Sequence, residues 1–155
     1  MDRAVKITVA VSLFFFLLLA YVGVQYVLIY DALYKVNIEI DNVVVDEFSD
    51  TKAIVSVTMN LLNPGFVDVR ITRFQWEIYL NGLLVGSSDL HPYKLISPTE
   101  TYIITRKIDT TYYSQTLFKA QEQNEWEWRV VGSARFETPL LKMEIPFDKV
   151  LIFSE

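Results

Sequence analysis

Side chains able to move protons, attack a substrate or hold a metal are few in this chain, and they are spread far apart. The single histidine, His91, stands beside Pro92 in a stretch of loop composition. With no second imidazole and no cysteine, the chain offers neither a nitrogen or sulfur metal site nor a thiolate nucleophile. Asp46, Glu47 and Asp50 bring three carboxylates close together. Oxygen ligands suit calcium, but the spaced ligands and glycine of an EF-hand loop are missing, so the cluster reads as a solvated turn. Ser87 and Ser88 follow Gly82 and Gly86 without the lysine of a phosphate loop. No serine lies in a G-x-S-x-G setting. Trp76, Trp126 and Trp128 would make an aromatic platform if exposed, yet alternation turns all three inward, where they fill a core. The expectation is a protein without catalytic residues, cofactor or metal.

Bulk charge narrows the partners. Beyond the first 30 residues the chain carries twelve basic and eighteen acidic side chains, a net charge of about −6 that repels nucleic acid. Lacking cysteine, a domain outside the cytoplasm must stand on its core without disulfides. No N-x-S/T acceptor is present to argue for either side of a membrane.

The element that must position everything else is the N-terminal apolar run over residues 7–30. It opens at Ile7, is densest at Leu13, Phe14, Phe15, Phe16, Leu17, Leu18 and Leu19, and closes at Tyr30 without one charged residue. As a helix it reaches about 36 Å against a hydrocarbon core of about 30 Å, so it is long enough to span with some tilt. A cleavable signal peptide is shorter and ends in a small-residue site, which Tyr21 and Val22 interrupt between Ala20 and Gly23. A buried soluble helix would show a polar stripe, and only Thr8, Ser12 and Gln25 break this surface. Arg3, Lys6 and the amino terminus precede the run, whereas Asp31, Lys35, Glu39 and Asp41 follow it. The positive side is the N-terminus, predicting a cytoplasmic stub and an extracytoplasmic bulk. Tyr26, Tyr30 and Tyr34 recur every four residues on one face, either as interfacial rings or as plain packing residues.

From Tyr34 onward the period falls to two. Val36, Ile38 and Ile40 alternate with Asn37, Glu39 and Asp41, and Val43-Val44-Val45 break the alternation, predicting a bulge before an acidic turn over residues 46–50. Ala53, Val55, Val57, Met59 and Leu61 form a second strand that stops at Asn63-Pro64-Gly65. The third strand starts at Val67 and changes phase near Thr72 and Arg73, predicting another bulge. Asn81-Gly82 signals a type I′ hairpin, with a return strand over residues 83–90. A loop from His91 to Pro98 leads to a strand through Ile108, then to a short helix over residues 110–124 with Thr110 as a possible cap. Trp126 to Phe136 gives the clearest period-2 run, and a last extended piece begins at Pro139. Seven or so short strands with turn signals between them predict an all-β, antiparallel sandwich with one short helix, preceded by an N-terminal transmembrane helix.

Several of these segments, in this order, resemble the late embryogenesis abundant (LEA) type 2 family, also called the water stress and hypersensitive response (WHy) domain. The likeness lies in the Asn63-Pro64-Gly65 break, the hairpin over residues 76–86, Ile96-Ser97-Pro98, the helix with Leu117, and the run WRVVGSARFETPLLKMEIP from Trp128 to Pro146. It covers roughly residues 34–153. Gly65 stands where the family often has Asn, and Leu140-Leu141 where it often has Leu-Gly. The resemblance implies an immunoglobulin- or fibronectin III-like sandwich, frequently tethered by one helix, with a desiccation- or stress-protective role and no enzymatic activity. Asn63, Pro64 and Gly65 carry over only as a structural turn motif.

The expected organisation is therefore a stub and transmembrane helix over residues 1–33 and a LEA type 2/WHy-like sandwich over residues 34–155. Its expected partners are the lipid bilayer and a lipid or client protein, with oligomeric state open. A different class also fits an apolar helix followed by a β domain: a structural subunit of an archaeal pilus or motility stator, packing through its helix. Arg3-Ala4-Val5 resembles a prepilin processing site, although Lys6 lies where such helices are apolar.

Overall fold

The computed structural model describes residues 3–49 and 51–153, with side chains from Ile7 onward. Asp50 and the side chains of Arg3 and Lys6 fall outside the described residues, and with them part of the acidic cluster and of the N-terminal charge signal. Helix α1 (Arg3–Lys35) is followed with almost no gap by strand β1 (Asn37–Ser49). The remaining elements are β2 (Lys52–Leu62), β3 (Val69–Leu80), β4 (Leu83–Leu90), β5 (Lys94–Ile96), β6 (Thr101–Asp109), α2 (Ser114–Gln123), β7 (Trp126–Glu137) and β8 (Lys142–Phe153).

Two antiparallel sheets face each other. One has the order β1-β2-β6, the other β4-β3-β7-β8 with β5 continuing the edge beside β3. β1 closes on β8 along one open side and β4 on β6 along the other. The core between them comes from alternate positions, including Val55, Met59 and Leu61 of β2, Phe74, Trp76 and Ile78 of β3, and Trp128, Val130 and Phe136 of β7. All-β sandwich topology behind an apolar helix is as the periodicity predicts.

β1 shows how polar pairs adjust phase. Its inward residues are Ile38, Ile40, Val43, Val45 and Phe48, and the ladder to β2 slips once between Ile40 and Asn42 and again between Val45 and Glu47. Each slip inserts one residue, so Asp41-Asn42 and Asp46-Glu47 stay outside while the apolar side chains resume the core face. The expected acidic turn over residues 46–50 is thus corrected: Asp46 to Ser49 lie in the strand, and Ser49 pairs with Lys52 across a two-residue connection. In β3 the predicted slip is present, between Ile71 and Arg73 opposite β7. Asn81 and Gly82 have φ of 49° and 79°, the positive pair that a type I′ turn requires.

Three further expectations change. β3 begins at Val69 rather than Val67, because residues 65–67 bend sharply next to α1. The segment expected as loop from His91 to Pro98 contains β5, whose three residues pair with Val69, Arg70 and Ile71. Residues 110–124 split into a 3-10 turn (Thr111–Tyr113) and α2, and Thr110 caps neither. Its buried hydroxyl donates instead to Ala53 O at 3.2 Å, tying the helical connection to β2. α2 ends at Asn124 in the left-handed conformation (φ 51°), a residue that tolerates it.

Cross-strand ion pairs cover the outer faces. Arg73 donates from Nε and Nη2 to Asp89 at 3.0 and 2.7 Å, Arg129 grips Asp148 in the same forked way, and Glu144 accepts from Ser133 and Arg135. Asp46 accepts from Ser56 and Lys107. The hydrogen bond from Arg73 holds the Asp89 carboxyl below its ordinary value, as Arg129 does for Asp148 and Ser56, then Lys107, for Asp46. Ser133 and then Arg135 act in the same sense on Glu144. A carboxylate depressed in the folded state contributes stability above its unfolded pKa, and that contribution is lost as pH falls through the folded value. Urea or thermal unfolding of the detergent-solubilised chain is therefore expected to be flat near neutrality and to lose stability below about pH 4. A profile flat down to about pH 2.5, more than one pH unit below the unfolded carboxylate pKa values of about 4, would show these pairs to be energetically silent.

Candidate functional site

The most elaborately built part of the molecule is the joint where α1 enters the sandwich. Between Ile7 and Tyr26 the residues predicted to form an anchor are broadly exposed, Leu19 at 70% and Phe16 at 68% among them. From Leu28 on, the helix acquires a buried face: Ile29, Ala32, Leu33 and Val36 belong to the same core as the strands, with Ala32 and Leu33 fully covered. These positions recur at helical spacing, so one stripe is claimed by the sandwich. Tyr30 and Tyr34 occupy a neighbouring face, stacked with ring centroids 6.3 Å apart. Lys35 pairs with Asp31 at 2.9 Å and favours the helix C-terminus by charge.

Opposite that stripe lies the Asn63-Pro64-Gly65 turn. Gly65 packs so closely on the helix that a methyl at its α-carbon would come within 2.6 Å of Ala32 Cα; no side chain fits between the two backbones. Asn63, fully buried, holds the turn in this place. Its Nδ2 donates to Val67 O at 2.9 Å and Ile96 O at 3.0 Å, its Oδ1 accepts from Gly65 N at 3.1 Å, and its backbone N donates to Glu100 O at 3.1 Å. Thr99 donates its N–H to Asn63 O at 2.7 Å while held at φ 64°, an unfavourable conformation for a β-branched residue. One residue thus fastens three segments beside the helix: residues 63–67 and β5 through its side-chain amide, and the β5–β6 turn through its backbone. The sequence marks this triplet as a strand break; the helix socket it forms is visible only in three dimensions.

A second feature lies at the far end. Along the β1–β8 open side, Val43, Val45, Phe48, Gln121, Trp126, Trp128 and Phe153 line an open groove of about 400 Å³. Trp126 stacks on Trp128 with centroids 6.2 Å apart, and Phe48 meets Phe118 of α2 at 4.4 Å. Trp76 and Trp128 are core residues, each 2% exposed, as expected, but Trp126 is half-buried and forms a groove wall. Trp126 is the first residue of β7, at the strand's end, where it packs against the core with only part of its side chain covered.

The other candidate residues stay apart. His91 is exposed beside Tyr93, with ring centroids 6.5 Å apart. Ser87 and Ser88 lie on β4. Asp46 is engaged with Ser56 and Lys107, and Glu47 with Lys52 at 2.8 Å. Among the described residues no group of His, Asp and Glu is arranged to hold a metal ion.

No family model matches the sequence, and no curated protein matches it. Solved structures do share its shape. A solution structure from Arabidopsis thaliana is similar at a TM-score of 0.62 and 9% identity, covering 76% of this chain and 80% of that one. A crystal structure of a protein from Archaeoglobus fulgidus gives 0.52 and 11% over 76% and 98%. The solution structure of a candidate late embryogenesis abundant protein gives 0.52 and 10% over 87% and 86%. At such identities the likeness is one of fold: the sandwich is LEA-like.

The joint makes a sharp energetic prediction. Leu33→Ala is expected to destabilise the domain by roughly 2–5 kcal/mol, because it opens a cavity in the shared core. Leu19→Ala, at a position 70% exposed in the isolated chain, leaves domain stability unchanged. Gly65→Ala also destabilises, and adding Ala32→Gly restores only part of the loss, since the Ala32 α-carbon remains in the way. Tryptophan-monitored urea unfolding in detergent measures all four. A wild-type midpoint for Leu33→Ala would mean that the helix is not part of the core.

Proposed function

We propose that the chain is a single-pass, membrane-tethered, non-catalytic protein of the LEA type 2/WHy kind, which protects membranes or client proteins during water stress. In this reading α1 crosses the bilayer from a cytoplasmic N-terminus, and an immunoglobulin- or fibronectin III-like sandwich stands outside. The observation that carries it is the joint: a helix long and apolar enough to cross a membrane is buried over its last turns in the core of a LEA-like sandwich. A removable leader would not share its side chains with the folded domain's core.

The groove supplies a means of action. Drying or freezing exposes apolar segments of proteins and perturbs lipid packing; an open aromatic groove offers apolar contact without chemical turnover. Trp126 gives it a broad flat wall with an N–H at one edge, suited to a ligand that is apolar along its body and polar at its end.

The full chain reconstituted in vesicles and freeze-dried with lactate dehydrogenase is expected to preserve enzyme activity and limit vesicle leakage better than an equal mass of serum albumin. Trp126→Ser should weaken that protection and, because Trp126 is half-buried against the core, lower the unfolding free energy by roughly 1–2 kcal/mol, so the assay is run where the variant remains folded. Protection no better than albumin, together with no lipid retained through purification by mass spectrometry, would remove the basis for this function.

A further inference from the structure

The joint places two exposed apolar loop tips beside the end of the span. Phe66 follows Gly65, which touches Ala32, yet its ring is 76% exposed. Leu140, 51% exposed, tops the β7–β8 turn at the same end of the sandwich. That assignment follows from register: Glu137 and Lys142 flank the turn, and Glu137 pairs with Arg70 at the start of β3, immediately after the Phe66 loop. Both tips are firmly held. Asn63 bonds fix the first, and the second is closed by Thr138 N donating to Leu141 O at 2.8 Å and Leu141 N donating to Thr138 Oγ1 at 3.0 Å.

Depth decides what meets these tips. From Ile7 to Ile29 the helix rises about 33 Å, already the thickness of a hydrocarbon core of about 30 Å. Ile29 is nevertheless only 6% exposed, and Leu28 and Gln25 are half-buried. The sandwich therefore reaches along the helix to the level where the apolar run ends. A phenyl ring carried on a loop pressed against Ala32, three residues further along, lies at the height of lipid headgroups and upper acyl chains.

We propose that Phe66 and Leu140 are a second membrane contact: both insert into the interface of the leaflet from which α1 emerges and fix the tilt of the sandwich on the bilayer. The occupant of this apolar surface is the lipid already surrounding the span. Aromatic and aliphatic side chains gain free energy there, and the bonds to Gly65 N, Val67 O, Thr138 N, Leu141 N and Leu141 O pair part of each turn's polar backbone within the protein, which lowers the cost of bringing the tips to the interface. The inference rests on the reading of α1 as a membrane span.

Because the chain has no cysteine, four single-cysteine variants can be labelled with an environment-sensitive NBD fluorophore: Phe66→Cys, Leu140→Cys, Leu17→Cys and Tyr112→Cys. Tyr112 is a useful control, being 90% exposed just past the far end of β6, roughly 26 Å from its near end by strand rise. The full chain is reconstituted in phosphatidylcholine/phosphatidylglycerol vesicles containing nitroxide lipids labelled either near the headgroup or deep in the acyl chain. Labels at positions 66 and 140 should lose emission chiefly to the shallow nitroxide and the label at 17 chiefly to the deep one, with the label at 112 unaffected. If 66 and 140 are as unquenched as 112 while 17 is quenched, the second contact is overturned and the span stands. If 17 is also unquenched in vesicle-bound protein, the span reading itself falls.

Discussion

Everything in this molecule depends on one side of one helix being shared between two environments. Over most of its length α1 presents apolar side chains on all faces, over a run long and apolar enough to cross a membrane. Over its last two turns the stripe of Ile29, Ala32, Leu33 and Val36 is instead covered by protein. Burying a leucine such as Leu33 is worth about 1.5–3 kcal/mol, so the helix end and the domain stabilise each other. The cost of that arrangement is an exacting surface opposite the helix. Gly65 supplies the close approach, and the Asn63 side chain satisfies two carbonyls and one N–H that would otherwise be buried without partners, each costing about 1–3 kcal/mol.

Shared burial removes freedom that a linker would give. β1 starts at Asn37, directly after the helix ends at Lys35, and Val36 between them is in the core. A flexible tether samples distances that grow with the square root of its length, but here the tether length is effectively zero. Rotation of the sandwich about the helix would pull Leu33 out of its packing and part Gly65 from Ala32. The helix consequently sets the orientation of the domain relative to itself, and the loops at that end are held at a defined height along α1.

Much of the framework was legible because it rests on local rules. Period-2 runs, the Asn81-Gly82 turn and the phase change in β3 each follow from neighbouring residues. β1 was readable in kind but not in place, since Val43-Val44-Val45 hides where the extra residues sit; the slips fall at Asp41-Asn42 and Asp46-Glu47, where a polar side chain loses least by leaving the ladder. β5 carries no period of its own, being three residues whose strand character comes from pairing with β3. Thr110 reads as a cap because threonine favours that position, but a carbonyl of β2 competes for its hydroxyl and wins. Asn63-Pro64-Gly65 is recognisable as a break, whereas its function as a socket needs Val67, Ile96, Glu100 and Ala32 brought together from four parts of the chain. Trp126 followed the alternation rule correctly, but the rule gives the face of a strand and not where its cover ends.

Distance along β1 finally constrains what the groove is able to bind. Groove residues on this strand begin at Val43 and end at Phe48, six and eleven steps from Asn37, or about 20–36 Å along the strand at about 3.3 Å per step. In the proposed arrangement, with β1 running away from the bilayer, that length exceeds the reach of a lipid still seated in the anchoring leaflet. A lipid could fill the groove only after leaving its bilayer, exposing acyl chain to water at about 0.8 kcal/mol per CH₂. A protein segment uncovered by drying, or the surface of a second membrane, meets the groove without that cost. In that proposed arrangement the rigid joint separates two apolar surfaces that composition alone would merge, one at the depth of the anchoring bilayer and one held clear of it.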